Sequence, residues 1–280
     1  TDTQIQIDGS IGLQIHLGQF HAIEYDEWSS QIAFVAMFLA EHQANKQMEE
    51  ILGVSPNLFP LTDSAVVKQG NALRISWDDV CPMDGNTVIM GNPPFNGARL
   101  MTDEQKEDTL SLWAGTKRAG NIDYVANWFL ISSRWASTSG VRVGFVATSS
   151  ISQGEQPALI WGAIYPLGIG IDFAYRSFKW DNGAAVHCVI VGFSSTAKPK
   201  KRPLWSFSDI KGEPELSFVS NINAYLVDAP DILIESRSRP LIPDVPLLTY
   251  GSQPNDAGHL SDISPEAAED MRRSDPIAAK

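Results

Sequence analysis

The chain has 280 residues, 43% of them hydrophobic, and its 21 basic and 33 acidic side chains give a formal net charge of −12. This length supports one large domain, or one domain with an appendage, and no apolar run of about 18 residues marks a membrane span or a membrane partner. Two distant cysteines, Cys81 and Cys188, exclude a disulfide scaffold and argue against a zinc site, so we expect no bound metal and a cytoplasmic location.

Segments typical of strands and helices alternate along most of the chain, which predicts an α/β fold with a mostly parallel sheet. Residues 20–24 predict a short strand that ends in Glu24, and residues 27–47 follow with apolar side chains at helical spacing. A carboxylate at a strand end can accept hydrogen bonds from ribose hydroxyls. Glu24 is therefore a candidate for binding a nucleoside, and Asp26 suits a helix cap. The alternative is an acidic helix start that interacts with the helix dipole.

Residues 71–75 predict a weak strand after Gly70. The side-chain amide of Asn71 could pair with the edge of an adenine. Equally, Asn71 could be a turn residue that follows the glycine.

Residues 87–90 predict a strand that leads into Asn92-Pro93-Pro94-Phe95. The exocyclic amine of adenine attacks poorly, because its lone pair is shared with the ring. The Asn92 side-chain oxygen and the Pro93 carbonyl could both accept hydrogen bonds from this amine and so favour a more tetrahedral, nucleophilic nitrogen. Prolines fix φ at about −65° and lack an N–H, so the carbonyl direction is set in advance. Phe95 offers a flat face to an extruded base. The alternative is a rigid turn without chemistry.

Residues 123–135 predict a helix, and residues 141–148 predict a buried strand that runs into a loop of small polar residues. Parallel sheets place ligands beyond the carboxyl ends of their strands. Ser149 and Gln153 are therefore expected to line a pocket for DNA or a target base. Helix capping is the alternative for this loop.

Residues 168–175 and 186–193 predict two further strands, with Phe178 and Trp180 in the segment between them. Either aromatic side chain could supply a second stacking surface opposite Phe95, or could close a hairpin in the core. Asn182-Gly183 predicts a tight turn before the last of these strands. From about residue 222 the sequence becomes irregular and rich in proline, with a possible short helix within 261–279. We therefore expect a core domain over residues 1–221 and an irregular connector over residues 222–280.

Taken in order, six segments resemble the methyltransferase domain of single-chain type IIG/IIL restriction–modification enzymes, which fuse an adenine-N6 DNA methyltransferase to an endonuclease. They are IEYDEW…IA…AEHQ, GNALR, GNPPF, IDYVANW, GFVATSSISQGEQ and FKWDN…VHCVIVGF. The resemblance implies a Rossmann-like fold that binds S-adenosylmethionine. It also implies a substrate of duplex DNA with a flipped adenine, and further nuclease and target-recognition domains in the same polypeptide. In this family the Asn-Pro-Pro-Phe motif is catalytic, and Glu24 and Asn71 match positions that contact the methyl donor.

The chain departs from the family pattern at its start. The first strand and its glycine-rich cofactor loop are not found in these residues and are expected upstream of Thr1, so the core over residues 1–221 is expected to be partial. Residues 8–18 contain glycines but no strand–loop–helix unit. The net charge of −12 is unusual for a DNA-binding domain and fits a part that lacks its DNA-gripping domain. Two alternatives are methylation of a glutamine side chain in a protein and a non-catalytic interaction module.

Overall fold

The computed structural model describes residues 15–53, 64–180, 186–195, 201–209, 212–235 and 264–274. The chain divides into two compact units, Thr1–Glu235 and Ser236–Lys280. The described strands and helices are, in chain order, β1 (His21–Glu24), α1 (Glu27–Leu52), β2 (Val66–Gln69), β3 (Val88–Gly91), α2 (Asp103–Leu112), α3 (Ala126–Ser139), β4 (Arg142–Thr148), α4 (Gln156–Ile164), β5 (Gly170–Lys179), β6 (His187–Ser194), β7 (Arg202–Ser206), β8 (Glu215–Val219) and α5 (Pro265–Ser274).

The strands of the first unit form two sheets. β1 and β2 pair in parallel, and the larger sheet has the order β3-β4-β6-β5-β7-β8. Within it, β3–β4 and β5–β7 are parallel, whereas β4–β6, β5–β6 and β7–β8 are antiparallel. The predicted α/β fold is confirmed, but its sheet is mixed rather than mostly parallel. The physical reason is that β5 leads to β6, and β7 to β8, through connections too short for the crossover that a parallel pair needs.

Most elements predicted from the periodicity are present, but the strand predicted at residues 71–75 is wrong. The strand lies earlier, at β2, and the chain turns after Gly70, whose φ is 147°. The Asn71 side-chain oxygen accepts a hydrogen bond from Leu73 N at 2.9 Å, and the Asn71 carbonyl accepts from Ile75 N at 3.0 Å. Local hydrogen bonds from an asparagine side chain compete with strand pairing, and here they form a turn.

The core lies between the larger sheet and the helices α3 and α4. Phe129 on α3 is fully buried, with its ring centroid 5.4 Å from that of Phe145 on β4 and 5.4 Å from that of Phe193 on β6. Trp161 on α4 contacts Phe193 edge-on at 6.1 Å. This aromatic cluster fixes α3 and α4 against β4 and β6.

Helix α1 is capped at both ends. The Asp26 carboxylate accepts a hydrogen bond from Ser29 N at 2.8 Å, which confirms its predicted capping role, and this bond together with one from the Ser29 hydroxyl lowers the pKa of Asp26. Gly53 ends the helix with a φ of 69°.

No helix in the described part of the chain is long and apolar enough to cross a membrane.

The irregular segment after residue 221 begins inside the first compact unit. Ile222, Ala224 and Leu226 are buried in the core, and the Asn223 side-chain oxygen accepts a hydrogen bond from Tyr225 N at 2.9 Å. The core unit therefore continues past residue 221, and α5 belongs to the second unit.

Candidate active site

Four strands of the larger sheet end at the same edge. β3 and β4 are parallel, β6 is antiparallel to both β4 and β5, and β7 is parallel to β5. The residues just beyond these strand ends are Asn92, Ser149, Trp180 and Phe207. The larger sheet thus brings together, at one carboxyl edge, candidate residues that are far apart in sequence.

The Asn-Pro-Pro-Phe turn follows β3 directly. Gly91, the last residue of β3, pairs with Phe145 on β4. The Asn92 side chain is exposed and makes no hydrogen bond to any residue that the structure describes, whereas Pro93 is buried. Pro94 is exposed, and Phe95 is half-buried and packs against the core. The turn is therefore anchored through Pro93 and Phe95, while the Asn92 amide is available to a substrate.

The segment that follows the turn is held by residues just before α3. Asn96 O accepts a hydrogen bond from Tyr124 N at 2.9 Å, and Ala98 N donates to the Asp123 carboxylate at 3.1 Å. The Asn96 side chain also donates to Gln105 Oε1 at 3.1 Å. The Asn-Pro-Pro-Phe turn thus lies between two fixed points, the pairing of β3 with β4 on one side and these hydrogen bonds on the other.

The polar residues after β4 divide into two groups. Ser150 Oγ donates to Asp123 Oδ2 at 2.6 Å, and Ser152 Oγ donates to the Ser149 carbonyl at 2.9 Å. Ser149 is half-buried and Gln153 is exposed, and neither side chain is hydrogen-bonded to a described residue. Ser149 and Gln153 are therefore available at the sheet edge, and Ser150 is part of the supporting structure.

The aromatic residues at the end of β5 form a separate group at this edge. The Phe178 ring centroid is 6.2 Å from that of Trp180 and 5.5 Å from that of Phe207. β4 and β6 lie between β3 and β5, a separation of roughly 14 Å at about 4.8 Å per strand. A base held between Phe95 and one of these rings would require the ring to reach across the ends of β4 and β6. The predicted turn at Asn182-Gly183 lies outside the described residues.

Glu24 and Asn71 lie at the carboxyl edge of the two-stranded sheet. Glu24 ends β1, and one of its carboxylate oxygens accepts a hydrogen bond from Asp26 N at 3.3 Å. Its second oxygen makes no hydrogen bond to a described residue. The Asn71 amide nitrogen donates to Asp108 at 3.1 Å while its oxygen accepts from Leu73 N. Each polar atom of Asn71 therefore keeps one further hydrogen-bonding position.

Asp108 holds the loop that follows β2, because it accepts hydrogen bonds from both Asn71 and Arg74. It is buried on α2, and its hydrogen bond from Arg74 Nε is 2.7 Å long. Burial, together with the nearby carboxylates Asp108 and Glu104, raises the pKa of Tyr124 to about 12, so the phenol is neutral. Tyr124 N donates to the carbonyl of Asn96, directly after the Asn-Pro-Pro-Phe turn, so Tyr124 is held beside that turn through its backbone.

The sequence model described as MmeI, DNA-methyltransferase domain, matches residues 2–206. The chain belongs to this family. It is 37% identical over 254 residues to DNA methyltransferase A of Bacillus subtilis (strain 168), covering 88% of this chain and 28% of that protein. It also matches the structure of the type IIL restriction–modification enzyme MmeI in complex with DNA, with a TM-score of 0.84, 35% identity, and coverage of 94% of this chain and 36% of that one. The chain thus spans about a third of the length of these relatives.

The MmeI match confirms the resemblance to the methyltransferase domain of type IIG/IIL enzymes and the Rossmann-like fold. In this MmeI-family domain, the motif that follows β3 is predicted from the sequence. The supporting contacts of Asp108, Asp123 and Tyr124 are not. The available signal was Asp123-Tyr124 at the start of a predicted helix. In the structure α3 begins only at Ala126, which leaves both residues before the helix, where they can support the loops.

Proposed function

We propose that this MmeI-family domain transfers a methyl group from S-adenosylmethionine to the N6 amine of adenine in duplex DNA, as part of a restriction–modification enzyme. The observation that carries the proposal is the exposed Asn92 amide on an anchored Asn-Pro-Pro-Phe turn at the carboxyl end of β3. The family membership supports DNA over a protein glutamine as substrate.

The chain's own residues account for activation of the amine. The Asn92 oxygen and the Pro93 carbonyl accept hydrogen bonds from the N6 amine, which frees its lone pair for attack. Because Pro93 is buried, its carbonyl direction is fixed before the base arrives. Phe95 stacks on one face of the flipped base, and Phe178 or Trp180 forms the far wall of the pocket. Ser149 and Gln153 contact the DNA or the target base beside this turn.

The residues of the two-stranded sheet hold the methyl donor. S-adenosylmethionine, when bound, supplies an electrophilic methyl group. Glu24 accepts hydrogen bonds from the ribose hydroxyls, and Asn71 contacts the adenine ring with its remaining donor and acceptor. Among the described residues, β1 and β3 each pair along one edge only. The family's first strand, with its glycine-rich loop, would lie between these two edges and join the sheets.

In this proposal, the surface that binds the phosphates of the DNA lies in other parts of the protein. The net charge of −12 disfavours tight phosphate binding by this domain alone. A target-recognition domain and a nuclease in the same polypeptide would supply binding and cleavage, in line with the greater length of the relatives.

The direct test is chemical analysis of methylated DNA. The full-length protein is incubated with duplex DNA and S-adenosylmethionine labelled in its methyl group, and the nucleosides are then analysed by mass spectrometry. We expect N6-methyladenine. Label on cytosine, label on protein glutamine, or no transfer would contradict the proposal.

Replacement of Phe95 by alanine should weaken trapping of the flipped base more than overall DNA binding. Stacking on an aromatic side chain contributes roughly 1–3 kcal/mol per base, whereas affinity for the duplex comes mainly from phosphate contacts. Once the methylated position has been mapped by sequencing, 2-aminopurine placed there reports base extrusion by fluorescence. Phe218→Ala is the matched control, because Phe218 is 61% exposed on the edge strand β8. An undiminished fluorescence rise in Phe95→Ala would mean that Phe95 is only a packing residue.

Replacement of Glu24 by alanine should weaken binding of S-adenosylmethionine about 10- to 100-fold, since a hydrogen bond to a charged group contributes roughly 1.5–3 kcal/mol. Isothermal titration measures the change directly. Glu27→Ala is the control, because Glu27 is an exposed acid in the first turn of α1. Equal affinity in the wild type and Glu24→Ala would leave Glu24 with the structural role of an acidic helix start.

A further inference from the structure

We infer that Asp123 is a positioning residue for the methyl transfer proposed above, because its carboxylate fixes the catalytic turn after β3 relative to the turn after β4. The inference rests on the proposed function. It assigns to Asp123 no contact with the substrate; the residue acts through the loops that it holds.

The two oxygens of the Asp123 carboxylate bind two different loops. Oδ1 accepts a hydrogen bond from Ala98 N at 3.1 Å, and Oδ2 accepts from Ser150 Oγ at 2.6 Å. Since the Ser150 proton is used in this bond, Thr148 Oγ1 is the donor in its 2.6 Å contact with Ser150 Oγ. The backbone N of Asp123 donates to Gln156 Oε1 at 3.2 Å. One carboxylate therefore joins the loop after β3 to the end of β4, and its backbone is held by the start of α4.

This link lies where the sheet no longer holds the two loops together. Pairing between β3 and β4 ends at Gly91 and Phe145, and the catalytic turn continues beyond it without strand partners. After Phe95 the chain is held first at Asn96, by Tyr124 and Gln105, and then at Ala98, by the Asp123 carboxylate. Hydrogen bonds from a hydroxyl to a carboxylate are short and about twice as strong as neutral ones. Asp123 thus adds to the Asn96 contacts a side-chain restraint on the end of the catalytic turn that strand pairing does not hold.

Capping of α3 does not explain the Asp123 side chain. The N-cap position of α3 is Val125, and no side-chain capping bond is present there. Ala126 N donates to the Asp123 backbone carbonyl instead. The carboxylate is therefore committed to the loops rather than to the helix, which is the arrangement expected of a residue that orients a site.

The test compares Asp123→Ala with Asp123→Asn in the full-length protein. Asparagine keeps an oxygen for Ala98 N–H and can donate its amide proton to Ser150 Oγ, so both links survive without the charge. Alanine removes both links. A misplacement of about 1 Å in a site can cost about 100-fold in rate, so we expect Asp123→Ala to lower kcat about 30- to 100-fold. The KM values for DNA and S-adenosylmethionine should change by less than about threefold, because the lost interaction orients rather than binds. Asp123→Asn should recover kcat to within about fivefold of wild type.

Asp79→Ala is the matched control, because Asp79 is an exposed aspartate outside these loops, and its kcat should equal that of the wild type. Ser150→Ala removes one of the two links and tests the inference if Asp123→Ala does not fold; its kcat should fall about tenfold. Unchanged kcat in Asp123→Ala or in Ser150→Ala, with an active wild type, would overturn the inference alone. Equal loss in Asp123→Asn and Asp123→Ala would also overturn it, because the charge and not the positioning would then matter. Absence of adenine methylation by the wild type would overturn the proposed function and this inference together.

Discussion

Replacement of Asn92 by alanine in the full-length protein is expected to lower kcat for adenine methylation about 100- to 1000-fold while leaving the fold intact. Loss of one preorganised acceptor or donor at a reacting centre costs roughly 3–4 kcal/mol of the activation barrier. Asn92 is exposed and has no hydrogen bond to a described residue, so its truncation removes no interaction that stabilises the folded chain. Transfer of labelled methyl groups to duplex DNA measures kcat, and thermal unfolding checks the fold.

The matched control for this substitution lies at the opposite end of the same strand. Asn86 is an exposed asparagine in the turn before β3, where its backbone N donates to Asp84 Oδ1 at 2.8 Å. Asn86→Ala should methylate DNA at the wild-type rate. Near-normal turnover by Asn92→Ala would show that Asn92 is not the acceptor that activates the N6 amine. The family membership of the chain would not be affected by this result.

The parts of the fold that the sequence predicted are those in which local pattern and tertiary environment agree. β4 and β6 are apolar runs, and the structure buries them between neighbouring strands and helices. Helix α2 was missed because it is polar along most of its length; it is held by a capping box between Thr102 and Gln105 and by the ion pair of Asp108 with Arg74. The capping box is a local signal that hydrophobic periodicity does not detect, whereas the ion pair joins residues 34 apart in sequence and forms only in the folded chain.

The candidate site also combines residues with a local sequence signal and residues whose role depends on distant partners. Asn92 to Phe95 could be identified from the sequence because a strand followed by two prolines is a local signal with a chemical meaning. The interactions that support them are non-local. Asp123 is 25 residues from Ala98 and 27 residues from Ser150, so only the folded chain brings the three together. In this loop Ser149 and Gln153 are predicted from the sequence and Ser150 is not, because small polar residues in a loop cannot be distinguished until their partners are known.

Replacement of Phe129 by alanine is expected to destabilise the first compact unit by about 3–5 kcal/mol, the range measured for truncation of a buried aromatic side chain. Phe129 is fully buried and contacts Phe145 and Phe193 at centroid distances of 5.4 Å. The cavity would open beneath β4. This strand contains Phe145, which pairs with Gly91 of β3, and it leads into the turn that contains Ser150. Urea unfolding followed by circular dichroism measures the change in the free energy of unfolding.

Two further variants separate a cavity effect from a general sensitivity to substitution. Phe129→Leu keeps most of the buried volume, so it should destabilise clearly less than Phe129→Ala. Phe218→Ala makes the same chemical change at a side chain that is 61% exposed, and its free energy of unfolding should stay within about 0.5 kcal/mol of wild type. Equal losses in Phe129→Ala and Phe218→Ala, or a loss below about 1 kcal/mol in Phe129→Ala, would mean that the three phenylalanines do not form the rigid support beneath β4. The hydrogen bonds of the Asp123 carboxylate to Ala98 and Ser150 would then have to fix the turn of Asn92 at the sheet edge without help from the core.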